Sequence, residues 1–411
     1  MTETTSTEAT ATPDGKRKLF PLRKRTGTAS FHMSKAAVGF GADDLENLSP
    51  KEAIMLTAGA VWGSTEVMPC PHCGTIDSHL WRPLDLRWKC KGCGSTFSVT
   101  SKTVFADLKL PLSKVLKIAH SWMPGSSGVP ALQLRRHWGM TYPTIFTLCH
   151  KLREGIARGF NVGVLAGYQE MDGMDTNGRR YREKRNKPLG SRHKGAPTVP
   201  VELLKPDKDF VGPPVPHKFW KKVQQPADRR MVMVMRQRGV SKGKGATATR
   251  VGIAITESSH TATTLATRFA SAESVVLSDE DGSYDAFGRI FKEHKSISHS
   301  EAYSDGKGTN NNQAESFNRR MRRAVEGMYL NPSNKYLHEY ASEQAWREDT
   351  RRMPTGEKLH NLLRVVMFVG PSQSWCGYTQ GKHRLEELLL EGNKPAKARG
   401  RPKGWVAPVP R

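Results

Sequence analysis

Two cysteine pairs constrain this chain before anything else does. Cys70-Pro71-His72-Cys73 and Cys90-Lys91-Gly92-Cys93 are separated by residues 74–89. Two C-x2-C units about 15–20 residues apart have the spacing of a tetrahedral zinc site. Zn²⁺ takes four ligands, and each C-x2-C turn supplies two neighbouring corners. Gly74 and Gly94 follow the pairs, where the backbone must turn sharply. Residues 66–100 are therefore expected to form a zinc ribbon, with Leu80, Trp81, Leu84, Leu86 and Trp88 in short strands. A disulfide framework belongs to short secreted chains, and no secretory leader is read at the amino terminus. Cys149 and Cys376 lie outside the pattern and are expected to be reduced thiols.

Charge points to the partner. Across 411 residues, 64 Lys plus Arg stand against 39 Asp plus Glu, a net charge of +25. A surplus spread along the chain as well as in its tails favours an extended surface for a polyanion, with nucleic acid first. No apolar run is long enough to span a bilayer, so a membrane is not an expected partner. The length allows two or three domains with real cores.

The local signals divide the chain. Residues 1–30 read as a disordered basic tail. Ser49-Pro50-Lys51-Glu52 carries a capping box with proline at the first helical position, so residues 31–105 read as a helix plus the ribbon. Helices are expected over 112–123, over Ala131–Trp138 stopped by Gly139, and from Thr141 through Leu152. A helix, a glycine-containing turn and a second helix give a helix-turn-helix candidate over 106–160. Its DNA-contacting residues would be Arg135, Arg136, Thr141, Tyr142 and Thr144. Residues 161–352 alternate strands and helices around a basic insertion at about 180–230, which predicts an α/β mixed sheet. Residues 284–293 read as helical, as does the acidic–apolar stretch 382–391 within a helical region 353–392. Residues 393–411 form a basic tail. Its Lys397–Lys403 stretch resembles an AT-hook, with Arg399 and Arg401 suited to a narrow minor groove.

Three carboxylates stand at notable places. Asp172 is expected where a strand ends, Asp279 ends the strand begun at Val275, and Glu315 starts a helix. Two strand-end aspartates and a helical glutamate can converge at one sheet edge and hold two Mg²⁺ through hard oxygens. Paired ions serve in-line phosphoryl transfer. Arg319 and Arg322 follow Glu315 by one and two helical turns and could hold the scissile strand. Taken singly, each carboxylate also reads as a surface charge, and Glu315 as an i,i+4 partner of Arg319.

The ordered series of motifs resembles certain bacterial insertion-sequence transposases. Cys70–Gly74, Cys90–Cys93, Phe97-Ser98-Val99-Thr100 and Thr103-Val104-Phe105 are similar to their zinc ribbon. Leu110-Pro111-Leu112, Gln133–Arg136 and Thr141–Thr144 resemble their linker and helix-turn-helix. Glu170-Met171-Asp172-Gly173 resembles the first catalytic block, and Ser278-Asp279 with Tyr284 the second. His299-Ser300, Asn312–Phe317, Gly327-Met328-Tyr329 and Glu343–Arg347 resemble the third. The resemblance covers roughly 66–352.

It implies an RNase H-like catalytic domain that cuts and joins DNA with two Mg²⁺, Mn²⁺ able to stand in. Asp172 and Asp279 should bind those ions. Asn312 competes with Glu315 as the third ligand; Glu315 is preferred because a carboxylate binds Mg²⁺ better than a neutral amide. The expected partners are double-stranded terminal inverted repeats and target DNA, met as a homo-oligomer in a synaptic complex. The expected setting is the bacterial cytoplasm, at the nucleoid. The chain departs from the pattern at Gly173, where an acidic residue is common, at Arg322, where lysine is usual, and in its long 180–230 insertion. The alternative is a non-catalytic zinc-ribbon DNA-binding protein, either a transcription factor or a domesticated transposase.

Overall fold

Ser49 opens the first long helix as its sequence dictates. Ser49 Oγ accepts the Glu52 backbone N–H at 3.3 Å, and Glu52 Oε2 accepts that of Ser49 at 2.8 Å. The computed structural model describes residues 31–176, 229–239, 245–297 and 311–395. A short α1 (Asp43–Glu46) precedes α2 (Pro50–Trp62), which ends at Gly63 with φ 72°. The ribbon follows as β1 (Met68–Pro69), β2 (Ile76–Asp77), β3 (Leu80–Arg82), β4 (Arg87–Lys89) and β5 (Thr96–Phe97). Next come α3 (Leu112–Trp122), α4 (Ala131–Trp138) and α5 (Tyr142–Gly159). Gly139, at φ 59°, makes the turn after α4.

A five-stranded mixed sheet carries the second half. Its strands are β6 (Tyr168–Thr176), β7 (Arg230–Arg238), β8 (Ala246–Ala254), β9 (Val275–Asp279) and β10 (Glu293–Ile297), ordered β10-β9-β6-β7-β8. β6, β7 and β8 pair antiparallel, whereas β9 and β10 run parallel to β6. α6 (Ser259–Phe269) crosses from β8 to β9, and α7 (Phe287–Ile290) precedes β10. α8 (Asn312–Arg323), α9 (Asn334–Asp349) and α10 (Thr355–Met367) follow. This mixed α/β arrangement is RNase H-like, as expected.

The run Met231-Val232-Met233-Val234-Met235 explains the layering. A strand buried on both faces is apolar throughout. Its three methionines join Met171, Leu265, Phe269 and Phe287 on the α6 face. Its two valines join Met174, Phe317, Met321 and Leu337 on the face covered by α8 and α9.

A separate core holds the ribbon, α2, α3 and α5 together with Leu359, Leu362, Leu363 and Val366 of α10. Gly155 and Gly159 of α5 let α10 approach closely: a Cβ at 155 would lie 2.8 Å from the Val366 Cα, and one at 159 2.5 Å from the Val365 carbonyl oxygen. A buried ionic cluster fastens this core to the sheet domain. Glu343 of α9 accepts from Arg153 Nε at 2.6 Å, Arg347 Nε at 2.8 Å and the Tyr329 hydroxyl at 2.7 Å. Arg347 also donates to the carbonyls of Trp122, Met123 and Gly125.

Several expectations are corrected. Asp172 lies inside β6 rather than at its end. β6 continues to Thr176 because β7 still pairs with it there, while its parallel pairing with β9 stops at Glu170. Residues 284–293 hold only the single turn α7, since Phe287 and Phe291 turn into the core and Glu293 begins edge strand β10. Residues 382–391 are not helical. They run along the sheet margin and include β11 (Glu386–Glu387), paired with β12 (Lys394–Pro395). Three anchors hold that path extended. The Leu390 N–H donates to the Ile253 carbonyl at 2.8 Å, Glu387 accepts from Arg230, and Glu391 accepts the Ile255 N–H at 2.9 Å. The helix of this region is α10 instead. The amino-terminal tail, nearly all of the 180–230 insertion, His299-Ser300 and the Arg399–Arg401 hook lie outside the described residues.

Candidate active site and metal centre

Glu170 fixes the helix that faces the aspartates. It is fully buried, and its Oε2 accepts the backbone N–H groups of Gln313 at 2.6 Å and Ala314 at 3.1 Å. A carboxylate on the free N–H groups of a helix start satisfies them and complements the helix dipole. Arg238 Nε donates to the other oxygen at 2.5 Å. Asn311 Nδ2 adds a bond to the Met171 carbonyl at 3.1 Å. Ala314, Phe317 and Met321 then seat α8 on the sheet at helical spacing.

Parallel register brings the two aspartates together. Glu170 pairs with Leu277, so two residues further along each strand stand Asp172 (170 + 2) and Asp279 (277 + 2). Strand side chains alternate with period two, which puts both on one face. Both lie two residues past the last paired residues of β6 and β9, Glu170 and Leu277. Burial, then the Asp279 charge, then that of Glu257 push the Asp172 carboxyl up to about 7. Two hydrogen bonds oppose that shift. Oδ1 of Asp172 accepts the Gly173 N–H at 2.8 Å, and Oδ2 accepts Asn318 Nδ2 at 2.8 Å.

Glu257, in the turn between β8 and α6, belongs to this neighbourhood and was not legible as a site residue. Burial raises its carboxyl to about 7, with Asp279, Asp281 and Asp175 adding to the shift. Its Oε1 accepts the hydroxyl of buried Tyr284. A Cβ at residue 173 would lie 2.6 Å from the Glu257 Cδ. Glycine at 173 is thus what allows this carboxylate against the strand beside Asp172.

The other sequence-derived residues fall around this centre. Glu315 lies three residues before Asn318 on α8, is partly buried, and pairs with exposed Arg319 at 3.4 Å. Asn312 is exposed at the first position of the helix. Arg322 is exposed one turn beyond Asn318, and its charge acts on Asp175. Arg135, Arg136, Thr141 and Tyr142 are exposed across α4, the turn and the start of α5, and Thr144 is half-buried.

The cysteines converge. Sγ of Cys70 and Cys93 lie 3.9 Å apart, those of Cys73 and Cys90 3.6 Å, and all four fall within 4.8 Å of one another. Zn–S bonds of about 2.3 Å at tetrahedral angles set sulfurs about 3.8 Å apart, so the set fits one Zn²⁺. The two knuckles repeat each other. Cys70 N–H donates to Thr75 O and Cys90 N–H to Ser95 O, both at 2.9 Å, and Gly74 and Gly94 take φ of 80° and 72°. The His72 and Gly92 N–H groups point at the Cys70 and Cys90 sulfurs. Trp88 and Phe97, stacked at 5.9 Å, form the floor. Among the described residues, no helix is long and apolar enough to cross a membrane.

Comparison with known proteins gives one family. Residues 164–349 match the ISXO2-like transposase domain, a span that runs from just before β6 to the end of α9 and includes both aspartates. No curated protein and no solved structure matches the chain. What the chain shares with that family is thus confined to residues 164–349, 186 of its 411 residues.

Proposed function

We propose that this protein cuts and joins DNA strands at the ends of a mobile element, with Asp172 and Asp279 as the carboxylates that hold divalent ions. The observation that carries the reading is the matched position of these aspartates, each two residues past the end of the β6–β9 pairing, with the Asp279 charge acting on Asp172. A buried carboxylate beside a second one of like charge repels it, which raises the affinity of a cation placed between them. Bound Mg²⁺, or Mn²⁺ in its place, would stabilise the attacking and leaving oxygens of an in-line phosphoryl transfer. Glu315 or Asn312 would complete the ligand set from the first turn of α8. Arg319 and Arg322, exposed on the same helix, would hold the scissile strand through its phosphates.

The zinc ribbon and the α4–α5 unit would recognise double-stranded terminal repeats, with Arg135, Arg136, Thr141, Tyr142 and Thr144 at the DNA. Arg399 and Arg401 would add minor-groove contacts. A synaptic complex of two or more copies would bring both ends together, in the bacterial cytoplasm. The net charge of +25 supports the phosphate-contact part of this reading.

The test uses purified zinc-loaded protein, Mg²⁺ and DNA carrying the element's own ends. Nicking and joining are expected from the native protein. Asp172→Asn and Asp279→Asn should each lose cleavage by at least about a thousandfold while shifting the same DNA in a gel at unchanged salt. Cleavage that survives either substitution would refute the assignment.

A further inference from the structure

Asn318 is 6 % exposed, on the α8 face turned to the sheet. Its Nδ2 donates to Asp172 Oδ2 at 2.8 Å, while its own Oδ1 is buried without a hydrogen-bond partner. Buried amide oxygens are seldom left unpaired, and such a group calls for an explanation. Packing alone supplies none, since an apolar side chain of the same size would fill the space without an orphaned acceptor.

The placement of Asn318 is fixed from two directions. Glu170 holds the start of α8 through the Gln313 and Ala314 N–H groups, and Phe317 and Met321 seat the middle of the helix in the core. On the strand side, the Gly173 N–H holds the other oxygen of Asp172. Each oxygen of that carboxylate therefore receives one fixed donor, which sets its plane. The lone pairs left over are the ones available to an ion shared with Asp279.

We infer that Asn318 is a positioning residue: its amide holds Asp172 in the ion-binding orientation, and its orphaned Oδ1 accepts a hydrogen bond from a water in the coordination sphere of the divalent ion. The inference rests on the proposed role of Asp172. Groups that orient metal ligands typically change affinity by about 10–100-fold when removed.

Mn²⁺ binding to the full zinc-loaded chain, followed by paramagnetic resonance without DNA, tests it. Asn318→Ala should weaken the site about tenfold or more. Asn318→Leu, of similar size but unable to hydrogen-bond, should do the same with a thermal midpoint no lower than native. Asp172→Asn should abolish the same site. Native Mn²⁺ affinity in Asn318→Ala, with the site lost in Asp172→Asn, would overturn the role of Asn318 and leave the proposed function standing. Native affinity in Asp172→Asn would instead overturn the reading of the site itself. Failure of both Asn318 variants to fold would assign the residue to packing and overturn the inference.

Discussion

Oε2 of Glu170 accepts the backbone N–H of Gln313 at 2.6 Å, joining the strand that carries Asp172 to the helix that carries Glu315. The same oxygen takes the Ala314 N–H, and Oε1 takes Arg238. Removing one partner of a buried ion pair typically costs about 3–5 kcal/mol. Glu170→Ala should therefore lower stability by about 3 kcal/mol in denaturant unfolding. Glu170→Gln keeps an acceptor for the helix N–H groups and should cost clearly less. Equal losses from the two would mean that the helix cap contributes nothing.

Chelation should act on the ribbon first. Cys70 and Cys90 are buried with Trp88 and Phe97 around them, in a unit whose strands are two or three residues long. Binding free energy at such a site is folding free energy. Cys90→Ser, or a strong chelator, should release zinc and change the Trp88 fluorescence while the α/β domain keeps its circular dichroism. A zinc-free ribbon with native fluorescence would contradict this.

The acid limb of stability should carry the signature of His150. Its ring is fully buried, stacked 4.1 Å from Trp375, with Nδ1 2.7 Å from Glu339 Oε2. Burial, then the Arg153 charge, hold its pKa well below the ordinary histidine value, with Glu343 opposing and Arg384 adding to the effect. The unfolded chain binds this proton near pH 6.5 and the native state does not. The contribution is therefore present above about pH 6.5 and is lost as pH falls below it. Glu339, raised by burial, works in the opposite direction. His150→Gln should flatten the slope of stability between about pH 5 and 6.5. An unchanged slope would mean that the ring charges without cost.

Gly173→Ala should expose the contact with Glu257. The added methyl meets a carboxylate that Tyr284 tethers, so strand and side chain cannot both keep their places. Glu257→Ala makes room. A double-mutant cycle on thermal stability should give a coupling of about 1 kcal/mol, with the double variant milder than the sum of the single ones. Additive effects would place the two side chains apart.

Much of this was readable from residue spacing. Spacing located the four-cysteine cluster, because zinc geometry allows few ligand spacings. Asp279 stands at the end of β9, as its apolar run from Val275 implies, whereas burial of the Met231–Met235 strand on both faces is seen only in the fold. Asp172 reads as a strand end from local sequence because the pairing that prolongs β6 comes from β7, across the insertion. Residues 382–391 look amphipathic in isolation, yet Arg230 and Ile253 hold them extended by contacts that no local pattern encodes. Glu257 and Asn318 had no signal at all. One is a turn glutamate and the other a mid-helix asparagine, and only the assembled sheet brings them to the aspartates.

The joining of α10 to α2 and α5 bears on how the chain matures. Leu359, Leu362 and Val366 complete the apolar cluster begun at Leu45, so the ribbon-bearing half stays unfinished until α10 has been synthesised. Contacts this distant in sequence slow folding, because loop closure must precede their formation. A prematurely terminated product lacking α10 would therefore leave an open apolar groove against α2 and α5. Translation through Met367 is thus a precondition for an assembled amino-terminal half.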